Sequence, residues 1–260
     1  MRRLVVTTAL LLVPHCEALM AQRAETGFIN RTVMLEGMRL PYQVYIPANY
    51  SEKEPWPVIL FLHGSGERGL DGLRQTIVGL APAIRADPAR FPAIVVLPQA
   101  PPDSSWTGRP ARAAMAALDA VTKEYRTDAD RVYLTGLSMG GHGVWYLAYR
   151  HPERFAAVAP VCGWVSKLPQ FPQRAHVVPP NDGPPFESLA RKLKSVPIWI
   201  FHGELDTAVP VNESRQAADA LKAAAANVRY TEFLGTNHNS WDPTYASVEF
   251  TNWLFAQRRK

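Results

Sequence analysis

Cysteine is almost absent from this sequence, with two such residues among 260. Cys16 lies in an N-terminal segment that has the features of a signal peptide, so Cys162 stays alone in the mature chain and cannot form an internal disulfide. Cys162 ends the apolar run AAVAPVC, which favours a buried thiol over a reactive one. The spacings typical of metal sites, C-x-x-C and H-E-x-x-H, are absent as well. We therefore expect no bound metal and no cofactor.

Basic residues do not cluster with aromatic ones in the interior of the chain, although the net charge is +5. Part of that charge lies at the two ends, in Arg2, Arg3 and the stretch 258–260. A nucleic-acid-binding surface needs a concentrated basic patch, so we expect no nucleic-acid partner. Beyond the signal segment the sequence also lacks an apolar run of about 20 residues, the length that a membrane-spanning helix requires. We expect no stable membrane insertion once the signal segment is removed.

The first 21 residues have the composition of a secretory signal peptide. Arg2 and Arg3 provide a positive start, residues 4–13 form an apolar core, and small residues near Ala18 and Ala21 suit cleavage. The alternative is a helix that anchors the chain in a membrane or lies at its surface. We favour export, and predict a secreted or periplasmic protein in which residues 22–260 form one domain.

Buried strands and helices alternate along the rest of the sequence. Continuous apolar runs such as PVILFLHG, AIVVLPQ and VPIWIFHG suit strands that are covered on both faces, and stretches rich in helix formers lie between them. This pattern predicts an α/β fold with a mostly parallel central sheet and helices on both faces. Three of the predicted helices cover residues 75–85, 111–125 and 245–257. Residues 163–185 are dense in proline and predict an irregular excursion within the domain.

A serine stands between closely spaced glycines in VYLTGLSMGGHGVW, residues 132–145. A serine hydroxyl is a weak nucleophile unless a neighbouring base removes its proton. A sharp turn from strand to helix exposes the hydroxyl, and Gly136 and Gly140 occupy positions where a Cβ would crowd that turn. A strand pattern precedes Ser138 and a helical pattern follows it. We therefore predict that Ser138 is a nucleophile rather than a structural turn residue.

The glycine-rich segment HGSGERG follows another apolar strand. The transition state of ester cleavage places negative charge on the carbonyl oxygen, and backbone N–H groups aimed at that position stabilise it. We predict Met139, directly after the nucleophile, as one donor and Ser65 as the other, with Gly64 or Gly66 as alternatives to Ser65. His63 is interpreted as a structural residue that positions the loop by a hydrogen bond.

An acid and a base follow the nucleophile along the chain. Asp206 lies in the loop after the apolar strand IWIFHG, and His238 lies in FLGTNHNSWDP after a further strand. Together with the serine they give the chain order nucleophile, acid, base. Near Asp206, His202 is interpreted as a brace for the loop. Weaker candidates stay open, namely His176 as the base and Glu204, Asp182 or Asp242 as the acid.

Five stretches of the sequence together resemble one family of enzymes. They are LFLHGSGERG, VVLPQAPPDSSW, VYLTGLSMGGHGVWYLAYRHPERFAAVAPVCG, WIFHGELDTAVPV and GTNHNSWDPTY. The chain resembles the α/β-hydrolases, and within them the serine esterases related to feruloyl esterases, polyhydroxybutyrate depolymerases and dienelactone hydrolases. The resemblance implies a catalytic triad of Ser138, Asp206 and His238. Dienelactone hydrolases use a cysteine nucleophile, and this chain departs from them because Ser138 stands at that position.

These features predict a secreted hydrolase that cleaves carboxylic esters through an acyl-enzyme intermediate. We expect a small-molecule or polymer-linked ester as the substrate. One alternative is a peptidase or amidase with the same catalytic residues, and another is a non-catalytic binding protein of the same fold.

Trp106, Trp164 and Trp241 follow predicted strands and are interpreted either as an aromatic wall for the substrate or as ordinary packing. The excursion at 163–185 is a further candidate for shaping the substrate pocket.

Overall fold

The computed structural model of the protein describes residues 24–170 and 175–259. The predicted signal peptide over residues 1–21 lies outside the described residues. Four residues of the predicted excursion, 171–174, lie outside them as well. Within the described part of the chain, no helix is both long and apolar enough to cross a membrane.

An eight-stranded sheet forms the centre of the domain. Its strands are β1 (Gly27–Leu35), β2 (Met38–Ile46), β3 (Trp56–Leu62), β4 (Ile94–Pro98), β5 (Thr127–Leu137), β6 (Ala157–Val161), β7 (Ile198–Gly203) and β8 (Val228–Phe233). They lie side by side in the order β1-β2-β4-β3-β5-β6-β7-β8. Strand β2 pairs antiparallel with both β1 and β4, and the other neighbouring pairs are parallel. The predicted α/β fold with a mostly parallel sheet is confirmed.

Two hydrophobic clusters, one on each face of the sheet, explain the continuous apolar runs. Along β3 the side chains alternate between them: Val58, Leu60 and Leu62 belong to one cluster, and Ile59 and Phe61 belong to the other. All five side chains are fully buried. Complete burial of such a side chain stabilises the fold by roughly 1.5–3 kcal/mol. Because both faces of this central strand are covered, its sequence is apolar throughout and lacks the alternation of apolar and polar residues that a half-exposed strand shows.

Seven α-helices lie within the described residues, namely α1 (Leu80–Ala86), α2 (Gly108–Glu124), α3 (Met139–Arg150), α4 (Pro185–Leu193), α5 (Asn212–Ala223), α6 (Trp241–Ala246) and α7 (Val248–Ala256). The helix predicted at 75–85 is wrong in its first half, where Arg74–Thr76 form a short 3-10 turn. Gly79 follows with a φ of +77°, and a Cβ there would come within 2.9 Å of the Phe61 and Leu137 side chains. A right-handed helix cannot continue through a residue with this positive φ, so α1 begins at Leu80.

The structure also differs from the sequence prediction at the closing helix and at a helix that was not predicted. The closing helix predicted at 245–257 is divided into α6 and α7 at Ser247, which has an extended backbone. The Ser247 hydroxyl accepts a hydrogen bond from the Phe250 N–H at 3.2 Å and so caps α7. Helix α4, from Pro185 to Leu193, was not expected from the sequence, because the prolines before it read as part of the excursion. Proline is nevertheless compatible with the first turn of a helix, where its missing N–H is not needed.

The excursion between β6 and α4 is fixed at its beginning by one buried carboxylate. Glu213, in the first turn of α5, accepts hydrogen bonds from the N–H groups of Val165 and Ser166, both at 2.9 Å. The hydroxyl of Ser166 donates to the same carboxylate. Three donors on one side chain hold the chain directly after β6 against α5.

The later part of the excursion packs against the C-terminal end of α3. The Arg150 guanidinium donates to the Val177 carbonyl at 2.8 Å, and the Tyr149 hydroxyl donates to the Asp182 carboxylate at 2.6 Å. Ser138 precedes the other end of α3, a helix of 12 residues that is about 18 Å long at 1.5 Å per residue. Val177 and Asp182 therefore contact the end of α3 opposite to Ser138, and a role of the excursion at 163–185 in shaping the substrate pocket stays a prediction.

Candidate active site

Ser138 lies on the sharp turn between β5 and α3. Its backbone angles are φ 54° and ψ −116°, outside the regions that residues with a side chain normally occupy. Such a conformation costs on the order of 1–3 kcal/mol and persists where the surrounding structure fixes it. Its N–H donates to the Val161 carbonyl of β6 at 2.9 Å, and its carbonyl accepts from the His142 N–H at 3.0 Å. These bonds hold the Ser138 hydroxyl at the carboxyl edge of the sheet.

The glycines around Ser138 make room for the neighbouring strand. A Cβ on Gly140 would lie 1.8 Å from the carbonyl oxygen of Leu62, at the end of β3. A Cβ on Gly136 would lie 2.6 Å from the same oxygen. Because backbone atoms cannot yield as a flexible side chain does, both positions require glycine. The spacing of glycines in the sequence therefore reflects the close passage of β3 beside the turn.

Asp206, His238 and Ser138 form a continuous chain of hydrogen bonds. His238 Nε2 lies 2.9 Å from Ser138 Oγ, and His238 Nδ1 lies 2.6 Å from Asp206 Oδ2. An ionised carboxylate accepts only, so Nδ1 carries the proton and Nε2 faces the serine hydroxyl as a free base. The Asp206 side chain is fully buried, whereas 27% of the His238 side chain is exposed. The structure thus brings together the three residues that the sequence predicts, in loops after β5, β7 and β8.

The carboxylate of Asp206 accepts hydrogen bonds at both oxygens. Oδ1 accepts from the N–H groups of Ala208 and Val209 at 2.8 and 2.9 Å, and Oδ2 also lies 3.0 Å from His202 Nε2. Burial by itself would raise the pKa of this carboxyl, but hydrogen bonds from His202, His238 and a backbone N–H hold the pKa well below its ordinary value. Asp206 is therefore a fixed negative charge behind the imidazole. His202, interpreted from the sequence as a loop brace, contacts that charge directly.

Met139 and Ser65 each begin a short helical segment. Met139 is the first residue of α3, and Ser65 is the first residue of the 3-10 turn Ser65–Glu67. An N–H group in the first turn of a helix has no acceptor within that helix, which leaves it available for an anion. Arg68 Nε donates to the Ser65 carbonyl at 2.8 Å and braces the turn. The assignment of these two N–H groups to an oxyanion stays a prediction.

His63 is buried behind the glycine-rich loop and bonds to it on both sides. Its Nε2 accepts from the Ala100 N–H at 2.9 Å, so Nδ1 carries the proton and donates to the Gly64 carbonyl at 2.6 Å. Burial lowers the pKa of His63 to about 4, which keeps the ring neutral near pH 7. The Trp106 indole N–H donates to the His63 carbonyl at 2.8 Å. These contacts support a structural role for His63.

The predicted aromatic wall is wrong for two of its three members. Trp106 and Trp164 are 1% and 2% exposed, because they pack behind the catalytic loops. The Trp164 ring stacks on the His142 ring with the centroids 4.5 Å apart. Trp241 is half-buried, and its ring meets the His238 imidazole edge-on at 5.4 Å. Ordinary packing accounts for the first two indoles, and Trp241 stays a predicted substrate contact that also supports His238.

The weaker candidates for the acid and the base have other surroundings. His176 and Asp182 belong to the part of the excursion that packs against the C-terminal end of α3. Glu204 and Asp242 accept hydrogen bonds from neighbouring loop residues at 2.8 and 2.7 Å. None of these four is among the residues that contact the Ser138 hydroxyl or the His238 imidazole in the described part of the chain.

Cys162 is buried directly behind the catalytic pair, as the apolar run predicts. Its sulfur lies within 4.8 Å of one potential ligand atom from Asp206 and one from His238. Burial raises the pKa of the Cys162 thiol far above its ordinary value, and metal binding requires a thiolate. The Asp206 and His238 atoms also bond to each other. This group of three side chains therefore does not suit a metal ion.

The order of the strands and the strained serine turn after β5 define the class of the protein, which has an α/β-hydrolase fold. A family model named Esterase, with the description "Putative esterase", matches residues 114–253, more than half of the chain. The chain belongs to this esterase family. The resemblance to the α/β-hydrolase esterases that the sequence motifs indicate is thereby confirmed.

Three similar proteins are each longer than the part that this chain matches. A thermostable esterase of known crystal structure is 32% identical with a TM-score of 0.75, over 89% of this chain and 63% of that chain. An "Uncharacterized secreted protein" of Arthroderma benhamiae is 26% identical over 230 residues, which are 80% of this chain and 24% of the relative. Dipeptidyl-peptidase 5 of Porphyromonas gingivalis is 27% identical over 169 residues, which are 57% of this chain and 25% of the relative. The chain spans about a quarter of the length of these two curated relatives.

Proposed function

We propose that the protein is a secreted serine hydrolase that cleaves carboxylic esters through an acyl-enzyme intermediate. The observation that carries the proposal is the 2.9 Å contact between His238 Nε2 and Ser138 Oγ, with Asp206 Oδ2 2.6 Å from Nδ1 on the other side of the ring. A base within hydrogen-bond distance is what turns a serine hydroxyl into a nucleophile. Membership of the esterase family supports an ester substrate, either a small molecule or a group linked to a polymer.

The proposed reaction begins when Ser138 attacks the ester carbonyl carbon and His238 accepts the hydroxyl proton. The negative charge that moves to the carbonyl oxygen is stabilised by the N–H groups of Met139 and Ser65. Collapse of the tetrahedral intermediate breaks the bond to the alcohol, which leaves with the proton from His238. Water, deprotonated by the same imidazole, then hydrolyses the acyl-enzyme and releases the acid. Asp206 holds the imidazole in the Nδ1–H tautomer and stabilises its charged form.

Hydrolysis of peptide or amide bonds is a second candidate function. One relative carries the name dipeptidyl-peptidase, and the same three catalytic residues serve both reactions. The two reactions differ in the leaving group, since an amine must be protonated to leave whereas many alcohols leave readily. Rates on matched acyl esters and peptide anilides therefore separate the two functions.

The proposal is tested with purified wild type and Ser138→Ala on a panel of chromogenic acyl esters and peptide anilides. We expect the wild type to hydrolyse the esters and Ser138→Ala to lose several orders of magnitude in kcat. Ser195→Ala, at an exposed serine in the loop before β7, is the matched control and should keep wild-type kinetics. A fluorophosphonate should label Ser138. Folded wild type that neither hydrolyses an ester nor accepts the label would contradict the proposal and favour a binding protein of the same fold.

We also propose export of the protein, with removal of the segment at residues 1–21. The support is the positive start and apolar core of that segment, together with the relative described as secreted. N-terminal sequencing of protein recovered from the periplasm or medium should find a new N terminus near residues 18–21. An intact Met1 on a cytoplasmic protein would contradict export.

A further inference from the structure

A second histidine contacts the same carboxylate oxygen of Asp206 that His238 contacts. His202 Nε2 lies 3.0 Å from Asp206 Oδ2, and His238 Nδ1 lies 2.6 Å from it. His202 is the second-last residue of strand β7 and has no exposed surface, so it approaches the carboxylate from the protein interior. His238 approaches from the solvent side. One oxygen is therefore shared between a buried imidazole and the imidazole that faces the serine.

The partners of His202 determine where its proton lies. Its Nε2 is also 3.1 Å from the Val209 carbonyl oxygen, so both neighbours of Nε2 are acceptors and this nitrogen must carry a proton. Its Nδ1 lies 2.7 Å from the hydroxyl of Ser214, in the first turn of α5, and that hydroxyl can donate to it. Ser214 is buried as well. His202 thus links α5 to the loop that carries Asp206.

We propose that His202 is a positioning residue for Asp206, an inference that rests on the proposed function. The N–H groups of Ala208 and Val209 fix one carboxylate oxygen, and His202 fixes the other in the direction of His238. The His202 donor also withdraws charge from the oxygen that His238 uses. Removal of that donor would leave more charge on Oδ2 and change its interaction with the imidazolium that forms during the reaction.

Other ionisable groups lie on the elements around this pair. They are Cys162 after β6, Glu232 on β8, Arg215 and Glu213 on α5, Glu204 in the same loop and Asp242 on α6. Glu232 pairs in register with His202, and a hydrogen bond from Arg215 lowers the pKa of Glu232 to about 2. The buried Cys162 thiol has a raised pKa and stays neutral. Neither Glu232 nor Cys162 therefore changes its charge between about pH 5 and 8, the range of the activity profile.

The test compares His202→Leu, which removes the donor, with His202→Gln, whose side-chain amide can donate at the same place. We expect His202→Leu to lower kcat/KM roughly tenfold to hundredfold, the equivalent of one hydrogen bond to a charged group. The acidic limb of its pH profile should move up by about half a unit to one unit, with KM nearly unchanged. His202→Gln should recover most of both effects. His176→Gln, at an exposed histidine far from the site, is the matched control.

Two results would overturn the inference. One is a folded His202→Leu with the rate and pH profile of the wild type. The other is an equal loss of rate in His202→Leu and His202→Gln with the acidic limb unmoved, which indicates support of the fold alone. Thermal unfolding of each variant accompanies the kinetics.

Nitrogen-15 NMR of the histidine rings separates this inference from the proposed function, because it needs no substrate. In the wild type His202 should be the Nε2–H tautomer, and in His202→Leu the titration of His238 should move to higher pH. A wild type without esterase activity would refute the proposed function, while the NMR titration would still decide the role of His202. If His202→Leu does not fold, the role of His202 is decided by His202→Gln and by the tautomer of His202 in the wild type. A wild-type His202 that is protonated at Nδ1 alone would overturn the inference.

Discussion

Asp206→Asn tests the catalytic arrangement with the smallest change in shape. The substitution replaces one carboxylate oxygen by an NH2 group, yet every group that contacts the carboxylate is a donor. These donors are the N–H groups of Ala208 and Val209 and the imidazoles of His202 and His238. The amide oxygen can satisfy the two backbone N–H groups, which leaves the NH2 group facing the two imidazoles.

An NH2 group opposite His238 Nδ1 can be accommodated only when that nitrogen has lost its proton. The proton then resides on Nε2, which donates to Ser138 Oγ and can no longer remove its proton. Reversal of this tautomer in a serine hydrolase costs about 10⁴ in kcat, or about 5 kcal/mol of transition-state stabilisation. We expect a loss of this size for Asp206→Asn on the best chromogenic ester, with KM little changed because Asp206 is buried behind the imidazole.

Asp242→Asn is the matched control, since it makes the same chemical change at an exposed carboxylate on α6. Its kcat should equal that of the wild type. A folded Asp206→Asn that retains kcat within tenfold of the wild type would refute the reasoning, because it would show that the carboxylate does not set the tautomer of His238. Circular dichroism and thermal unfolding establish that each variant is folded.

Two further predictions concern stability. Gly140→Ala places a Cβ 1.8 Å from the Leu62 carbonyl oxygen and should lower the free energy of unfolding in urea by about 3 kcal/mol or more. Gly66→Ala is the control, because no atom lies within 4 Å of the new Cβ, and it should change the free energy of unfolding by less than about 0.5 kcal/mol. Equal losses in the two variants would show that the turn around Ser138 adjusts to the added Cβ. Because the pKa of Asp206 is lowered in the folded state, the unfolded chain binds its proton more readily as the pH falls. The contribution of the Asp206 carboxylate to the free energy of unfolding is complete above about pH 4, and it is lost as the pH falls through the pKa of the folded state. The free energy of unfolding, measured in urea from about pH 6 to about pH 2, should decline less steeply for Asp206→Asn than for the wild type. Parallel declines would show that Asp206 is not the source of the acid sensitivity.

The sheet and the three catalytic side chains could be predicted because their determinants are local in sequence. Runs such as PVILFLHG allow few structures other than a strand covered on both faces. The carboxyl ends of parallel strands lie at one edge, so polar residues in the loops after β5, β7 and β8 are expected to lie close together there. Ser138, Asp206 and His238 are such residues, and their order along the chain already limits their roles.

The remaining features depend on packing that no short window of sequence contains. Trp106 and Trp164 follow strands in the same way as Trp241, yet only the arrangement of α3 against the sheet decides which indole is buried. His202 and Asp206 are four residues apart, but the hydroxyl that contacts the other ring nitrogen of His202 belongs to Ser214, twelve residues further along the chain and on another element. Helix α4 does carry a sequence signal, with Phe186, Leu189, Ala190 and Leu193 spaced along one face.

The chain after β6 is fastened twice, by Glu213 at Val165 and Ser166 and by Arg150 at Val177. Both contacts use side chains of helices that pack on the sheet, so residues 165–166 and Val177 are each held to the domain independently of the other. Each doubling in the length of a connecting segment costs only about 0.6 kcal/mol in closure entropy. A change in the length of chain between these two points therefore leaves the anchors of the serine turn, which lie on β5, β6 and α3, in place.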